Sequence, residues 1–394
     1  MIEKHWKRIT VKFLTAQTIS LFGSSLVQYA IIWYITLATS SGAMMTFATI
    51  CGYVPQIIIS LFAGVWLDRY DRKKLMMLSD GAIAVSTLAI ALAFLSGHKN
   101  VGLLFAVLIV RSAGTGIQTP AVNAFLPLIV PNQHLMRING INSTLSSLTV
   151  FLAPAASGLM LSITSIEATF FVDVVTAVIG ICMLLTVPSP VTRDKRTGSI
   201  SQLEGIREGF SYLKAHKMIK GLLIYMMVVA VLISPSAFLT PLLVSRTFGP
   251  EVWKLTASEM VFSFGAAAGG LFMAVWGGFK DRRRTIFAAT VFYGFMMVGI
   301  GLAPIFWVYL AFNGLIGISM PCYNTPVNVF IQENVESGMQ GRVFSLVQLA
   351  GGTALPLGTL IFGPLADSFP VQAILIVNGL FLVLTAAVQL KQKS

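Results

Sequence analysis

Charged side chains are scarce in this sequence. Only 11% of its 394 residues are Asp, Glu, Lys or Arg, whereas 56% are hydrophobic, and the mean hydropathy is +0.81. Soluble domains contain about 25% charged residues, so this composition excludes a soluble fold. Because a transmembrane helix needs roughly 20 apolar residues, the chain has room for about twelve of them and for little else. We therefore expect an all-α integral membrane protein.

Side chains that bind metals or carry out catalysis are also scarce. The sequence has three cysteines in apolar runs, far apart and without a CxxC pair, and four histidines at loops or helix ends. This usage predicts neither a disulfide nor a metal site. The phosphate-binding motif GxxxxGK[ST] is absent, as are HExxH and repeated filter loops. Together these absences argue against an enzyme, an ATP-driven pump and a channel, and they predict no cofactor.

The apolar residues are grouped into six runs, a polar stretch and six further runs. The first six runs cover residues 13–38, 43–67, 75–96, 101–126, 138–162 and 167–187. The last six cover residues 218–245, 257–278, 285–303, 305–331, 343–366 and 370–390. This pattern predicts a six-helix bundle over 1–187, a cytoplasmic linker over 188–217 and a second bundle over 218–394. Within the linker, apolar residues at helical spacing after Ser201 and Glu204 predict an amphipathic helix on the membrane surface.

The distribution of lysine and arginine predicts the orientation. If the N-terminus is cytoplasmic, all but four of the 27 basic residues fall in cytoplasmic segments. The exceptions are Lys99, Arg246 and Lys254 in outer loops and Arg111 inside a helix. This bias is the positive-inside rule, and it explains the net charge of +12 without a nucleic-acid partner. Both termini of this multi-pass membrane protein should be cytoplasmic.

A short motif occurs twice, 210 positions apart. GVWLDRYDRKKL begins at Gly64, and AVWGGFKDRRRT begins at Ala274. Each copy ends one apolar run and begins the next, so each predicts a tight hairpin between two transmembrane helices. A motif repeated at the same place in each half indicates two homologous bundles.

These residues resemble the major facilitator superfamily. The first motif is similar to the family signature GxLaDrxGrkxxl, with Asp71 in place of the usual glycine. Together with RSAGTGIQTPAVNA from Arg111 and GRVFSL from Gly341, it resembles the drug-antiporter branch that contains the macrolide efflux proteins. The resemblance implies a twelve-helix fold in two repeats, in a bacterial cell membrane, and export of amphiphilic drug-like compounds by alternating access. Without a nucleotide site, the energy must come from an ion gradient or from the gradient of the substrate, and the titratable Asp173 favours proton antiport.

The resemblance also implies a cytoplasmic latch between the two halves. Its candidate residues are Gly64, Asp68, Arg72, Gly341 and Arg342. Asp68 would accept hydrogen bonds at the start of the eleventh helix, where a carboxylate favours the positive end of the helix dipole. In the alternative, the basic residues of this loop only fix its orientation.

Four ionisable residues inside apolar runs are candidates for proton coupling, because buried charges are costly in a membrane. They are Arg111, Asp173, Asp80 and Glu259. Arg111 and Asp173 lie deepest, and they need not touch; a structural role for Asp173 remains an alternative. For Asp80 we favour interfacial pairing with a loop cation, and for Glu259 an outer-rim location is an equal alternative.

Small residues and prolines occupy the middle of two helices. Pro154 and Gly158 stand where antiporters of this family show GxxxGPxxGG, although the glycine before the proline is replaced by Ala153. Pro356 roughly corresponds to Pro154 in the second half. We expect close helix packing at Gly158 and kinks at the prolines.

The expected partners are a small amphiphilic substrate, protons and the lipid bilayer, and the protein is expected to act as a monomer. Alternatives are a siderophore carrier, a lysophospholipid carrier or a membrane receptor without transport activity.

Overall fold

The computed structural model describes residues 2–188 and 211–391, and almost all of them are helical. The helices of the first half are α1 (Ile2–Thr39), α2 (Gly42–Arg69), α3 (Arg72–Leu95), α4 (Val101–Ile129), α5 (Leu135–Ile163) and α6 (Ile166–Leu185). Those of the second half are α7 in two segments (Lys217–Phe238 and Thr240–Thr247), α8 (Val252–Trp276), α9 (Arg282–Leu302), α10 (Phe306–Asn334), α11 (Ser337–Ser368) and α12 (Val371–Lys391).

The helices form where the apolar runs predicted them, because each run is long enough to cross a membrane. Eleven helices of the described residues meet this criterion, and α12 contributes a shorter apolar stretch, Val371–Ala387. The predicted all-α transmembrane class is therefore confirmed. The amphipathic linker helix predicted around Ser201 and Glu204 lies outside the described residues up to position 210. Residues 211–215 are described and helical, and Leu213, the last of its predicted apolar positions, is buried.

The chain forms two compact units. The first comprises Met1–Ile35 and Phe47–Gly198, and the second comprises Thr36–Thr46 and Ser199–Ser394. The end of α1 and the first turn of α2 thus belong to the second unit. The division at 187 and 218 remains a prediction.

The core of the first unit has two apolar clusters. One contains Leu26, Ile90, Leu108 and Phe170, and the other contains Phe13, Met76, Ala121 and Leu184. On each of α1, α3, α4 and α6, the residue of the first cluster is separated from that of the second by several turns of helix. Four polar residues lie in these separating turns, one on each helix: Ser24, Thr87, Arg111 and Asp173.

In the second unit, glycines allow two helices to approach closely. A Cβ atom on Gly265 of α8 would lie 2.1 Å from the carbonyl oxygen of Gly314 in α10. Gly317 faces α8 in the same way, since its Cβ atom would lie 2.2 Å from the carbonyl oxygen of Phe262. The backbones of α8 and α10 therefore pack against each other without intervening side chains, as in small-residue contacts of membrane helices.

Candidate functional site

A buried ion pair lies in the core of the first unit. The Arg111 Nη1 atom on α4 binds the Asp173 Oδ2 atom on α6. Asp173 is fully buried and Arg111 is 4% exposed. The sequence identified both residues but left open whether they touch. The structure brings them together.

Hydroxyl groups from two further helices complete this ion pair. Ser24 of α1 and Thr87 of α3 each donate a hydrogen bond of 3.0 Å to the Asp173 carboxylate. Arg111 also donates to the Thr87 hydroxyl at 2.9 Å and to the Ser24 carbonyl oxygen at 2.7 Å. The Arg111 Nε atom is buried without a hydrogen-bond partner among the described residues. We call Ser24, Thr87, Arg111 and Asp173 the ion-pair cluster.

Asp80 lies near this cluster on the same helix as Thr87. It is 3% exposed, and its Oδ1 atom accepts a hydrogen bond of 2.6 Å from the Gln118 side chain of α4. No cation pairs with Asp80 in residues 2–188 or 211–391. The favoured prediction of an interfacial pair was therefore wrong. Since α3 begins at Arg72, Asp80 lies about 12 Å along the helix, beyond the reach of the loop cations.

Glu259 belongs to the second unit, whereas the ion-pair cluster belongs to the first. It lies in α8 of the second unit, eight residues into the helix range, and is half-buried. Within the part of the chain that the structure describes, no hydrogen bond or ion pair joins its side chain to another residue. Of the four predicted coupling residues, Arg111, Asp80 and Asp173 therefore lie in the first unit and Glu259 lies in the second.

The duplicated motif forms the same capped hairpin in both units. Asp71 accepts a hydrogen bond of 2.8 Å from the Lys73 amide at the start of α3. Asp281 accepts one of 3.1 Å from the Arg283 amide at the start of α9. A carboxylate in this position satisfies amides that have no partner within the helix. At position 71, where the family usually has glycine, this chain therefore has an aspartate that caps the start of α3.

The arginine after each cap fastens the hairpin, but with different acceptors. Arg72 donates to the carbonyl oxygens of Ala124 at 2.6 Å and Leu67 at 3.4 Å. Arg282 donates to the Gly277 carbonyl oxygen at 3.3 Å and to the Glu333 carboxylate at 3.3 Å. Leu67 and Gly277 are equivalent positions of the two copies. The hydrogen bond from the arginine to the carbonyl oxygen five residues before it is therefore present in both copies.

The remaining predicted latch residues are placed as follows. Gly64 lies in the last two turns of α2, and Gly341 and Arg342 lie in the second turn of α11. Arg342 contacts the Met339 sulfur at 2.9 Å. The Asp68 side chain lies outside the described residues. In the second copy, Gly277 and Gly278 have φ angles of 70° and 79° and end α8 earlier than α2 ends.

The predicted prolines lie inside helices that continue past them. Pro154 and Gly158 are buried in α5, and Pro356 is buried in α11. Their predicted positions in helix interiors agree with the structure, and their roles in packing or bending remain predictions.

One polar cluster in the second unit was missed by sequence reasoning. The Asp367 carboxylate, at the end of α11, accepts hydrogen bonds from the Gly42 amide at 2.7 Å and the Ala43 amide at 3.0 Å. Arg246 pairs with Asp367 at 3.2 Å and donates to the Ser40 carbonyl oxygen. The sequence signal was weak, because Asp367 ends an apolar run and Arg246 reads as a loop cation.

Comparison with known proteins identifies relatives along almost the whole chain. A family model described as Major Facilitator Superfamily matches residues 13–359 and 259–391. Macrolide efflux protein A of Streptococcus pyogenes is 29% identical over 98% of this chain and 96% of its own length. The staphyloferrin A transporter of Staphylococcus aureus is 20% identical, over 94% of this chain and 93% of its own.

Solved structures share the fold. The nucleoside transporter NupG has a TM-score of 0.70 at 14% identity, with 96% of this chain and 97% of that chain covered. A bacterial homologue of the human lysosomal transporter Spinster, in an inward-facing and unoccupied conformation, has a TM-score of 0.71 at 13% identity. That comparison covers 97% of this chain and 96% of the other.

Proposed function

The chain belongs to the Major Facilitator Superfamily and is a multi-pass membrane transporter, and we propose that it exports macrolide-type amphiphilic compounds in exchange for protons. The 29% identity to macrolide efflux protein A over nearly the full length of both chains supports this substrate class. The ion-pair cluster is the observation that carries the proton-coupling part of the proposal.

The cluster has the chemistry that a proton-coupled switch requires. An ionised Asp173 is held by Arg111 and by hydroxyls on α1 and α3, so its charge ties four helices together. Adding a proton to Asp173 removes the attraction to Arg111 and leaves the guanidinium without its counterion in a low-dielectric core. Since leaving a buried charge unpaired costs several kcal/mol, about 3–5, protonation favours a different arrangement of these helices.

Transport by purified protein in sealed vesicles tests this coupling. An imposed pH gradient should drive uphill movement of a macrolide by the parent, and Asp173→Asn should abolish that movement while substrate binding persists. Glu251→Gln is the matched control, because Glu251 is an exposed carboxylate whose ion pair is with Lys254, three residues along the chain. If Asp173→Asn still moves substrate uphill on a pH gradient, the assignment of Asp173 is wrong.

Drug susceptibility of a transporter-deficient bacterial host tests the substrate class. Expression should raise resistance to macrolides, and a protonophore should remove that resistance. A siderophore carrier is the second candidate, favoured by the similarity to the staphyloferrin A transporter. It predicts altered siderophore movement instead, with no change in macrolide resistance. Lysophospholipid movement can be assayed in the same cells. If expression changes the uptake or efflux of none of these compounds, the alternative of a receptor gains support.

We also propose that the hairpin after α2 acts as a latch on the cytoplasmic side. Arg72 already joins this hairpin to α4, which would hold the loop in a fixed position. Asp68→Asn should reduce transport while membrane insertion stays normal. Full activity of Asp68→Asn would instead support a purely topogenic role for the loop.

The proposed location is the bacterial cell membrane, with both termini cytoplasmic and a single chain as the working unit. In intact cells expressing a variant without the three native cysteines, a membrane-impermeant thiol reagent should label Lys99→Cys but not Lys74→Cys. The reverse labelling pattern would overturn the orientation.

A further inference from the structure

A groove in the second unit runs between α7 and α12. Its volume is about 760 Å3, which is within the range of small-molecule sites. Ile224 of α7 and Phe381 and Leu384 of α12 form apolar walls, and α9 contributes Ile286 to the floor. Ile224, Phe381 and Leu384 are each about half exposed. Such a surface requires an apolar occupant when the chain is in a membrane.

Two cations lie at one end of this groove. Lys217 is the first residue of α7, and Arg283 is the second residue of α9. The Arg283 guanidinium lies 5.3 Å from the Phe330 ring centroid, which orients it beside the groove. In residues 2–188 and 211–391, no carboxylate forms an ion pair with either cation. The groove therefore has a positive end without a protein counterion among these residues.

In the first unit, the cation equivalent to Arg283 is hydrogen-bonded to the protein backbone. Lys73 occupies the position of Arg283 in the first copy of the duplicated motif. It donates to the carbonyl oxygens of Leu185 at 3.0 Å and Val187 at 2.6 Å, at the end of α6. Lys73 is therefore satisfied by the chain itself, whereas the Arg283 side chain donates no hydrogen bond to any other residue that the structure describes. The positive end of the groove between α7 and α12 is therefore a feature of the second unit and does not follow from the repeated motif alone.

The dimensions of the groove match one leaflet of a bilayer. From Lys217 to Val228, both of which line it, α7 rises about 16 Å. The hydrocarbon core of a bilayer is about 30 Å thick, so the groove extends over about half of it. Its charged end then lies at the depth of the lipid headgroups, where basic pockets between helices bind acidic lipids.

We propose that this groove binds one anionic phospholipid. Lys217 and Arg283 bind the headgroup phosphate, and an acyl chain lies between α7 and α12. Arginine suits this role because its guanidinium can donate two parallel hydrogen bonds to a phosphate. The site lies within one unit and involves none of the residues of the ion-pair cluster, so it does not depend on the proposed substrate or on proton coupling.

Gly221 offers a way to block the groove without disturbing the fold. It lines the groove on α7, and a Cβ atom added to it would have no heavy atom within 4 Å. A leucine there would extend into space that the structure leaves open, and leucine has a higher helix propensity than glycine. Gly221→Leu therefore removes room for an acyl chain while both cations stay in place.

Native mass spectrometry of the purified full chain, titrated with phosphatidylglycerol or phosphatidylcholine of identical acyl chains, tests the proposal. The parent should bind phosphatidylglycerol more tightly. Lys217→Gln combined with Arg283→Gln should weaken that binding about 10- to 30-fold, as expected for two cations near the membrane surface. Lys220→Gln combined with Arg284→Gln removes two exposed neighbouring cations and should change binding less than about threefold.

Two further measurements distinguish a bound phospholipid from a free phosphate ion. Gly221→Leu should weaken phosphatidylglycerol binding, whereas Gly221→Ala, which serves as the folding control, should not. Inorganic phosphate alone should not compete at concentrations that match the lipid phosphate. Equal affinity for the two lipids, equal loss in the control pair, or full competition by inorganic phosphate would each overturn the proposal. So would unchanged binding in a correctly folded Gly221→Leu protein.

Discussion

The Asp367 carboxylate caps the first turn of α2, accepting a hydrogen bond of 2.7 Å from the Gly42 amide. The second oxygen accepts from the Ala43 amide, so one side chain satisfies two of the amides that a helix start leaves without partners. The backbones meet closely here, since a Cβ atom on Gly42 would lie 2.1 Å from the Gly363 carbonyl oxygen. Residues 36–46 are thereby fixed to α11 within the second unit.

Removing this cap should loosen the start of α2. Loss of a helix cap costs about 0.5–2 kcal/mol, so Asp367→Ala should speed amide exchange at Gly42 and Ala43 about 2- to 30-fold. Hydrogen exchange followed by mass spectrometry of peptides from residues 40–46 measures this. Gln372→Ala is the control, because it removes a nearby exposed hydrogen bond to Thr247. Exchange rates equal to those of the parent would show that Asp367 does not hold α2.

The ion-pair cluster predicts an asymmetric mutant cycle. Arg111→Met alone leaves Asp173 buried without its cation and should destabilise the protein by about 3–5 kcal/mol. Combining it with Asp173→Leu removes both charges and should recover most of that loss, because an apolar pair often replaces a buried ion pair at little cost. Thermal unfolding in detergent measures both variants.

Arg282→Gln is the reference for this cycle. It breaks an exposed ion pair of 3.3 Å with Glu333, so its cost should stay near 0–1 kcal/mol. A double variant as unstable as Arg111→Met would contradict the account of the pair. If the double variant is stable and still couples transport to protons, the coupling residue is not Asp173.

Asp80 provides a second carboxylate with a different expected outcome. Asp80→Asn keeps an oxygen for the Gln118 hydrogen bond and removes a buried charge that has no cation partner in the described chain. The variant should be as stable as the parent or more stable, and proton-coupled transport in vesicles should continue. Asp80→Leu should instead cost about 1–3 kcal/mol, because it removes the acceptor at 2.6 Å from the Gln118 amide and leaves that amide the weaker contact of 3.5 Å with Gln17. Loss of coupling in Asp80→Asn would identify Asp80, and not Asp173 alone, as a proton site.

The fold could be predicted from the sequence because membrane-length apolar runs define helices directly. Arg111 and Asp173 could be named for the same reason, since charges stand out in such runs. Their pairing could not be predicted, because sequence spacing does not say which faces of α4 and α6 meet. Ser24 and Thr87 carried no signal, as hydroxyls in membrane helices commonly bond to their own backbone. Asp367 was missed because acidic residues are common where a helix ends and a loop begins, so its position did not suggest a special role.

The duplicated hairpin gives a final prediction, in which equivalent arginines differ in importance. Arg72→Ala removes a charged donor from two carbonyl oxygens, and such hydrogen bonds contribute about 1.5–3 kcal/mol. Arg282→Ala mainly removes an exposed pair with Glu333, for which about 0–1 kcal/mol is expected. Thermal unfolding should therefore show a larger loss for Arg72→Ala, and Lys74→Ala in the same loop should have little effect. Equal losses at Arg72 and Arg282 would mean that the repeated sequence, and not the local acceptors, sets the stability of the hairpin.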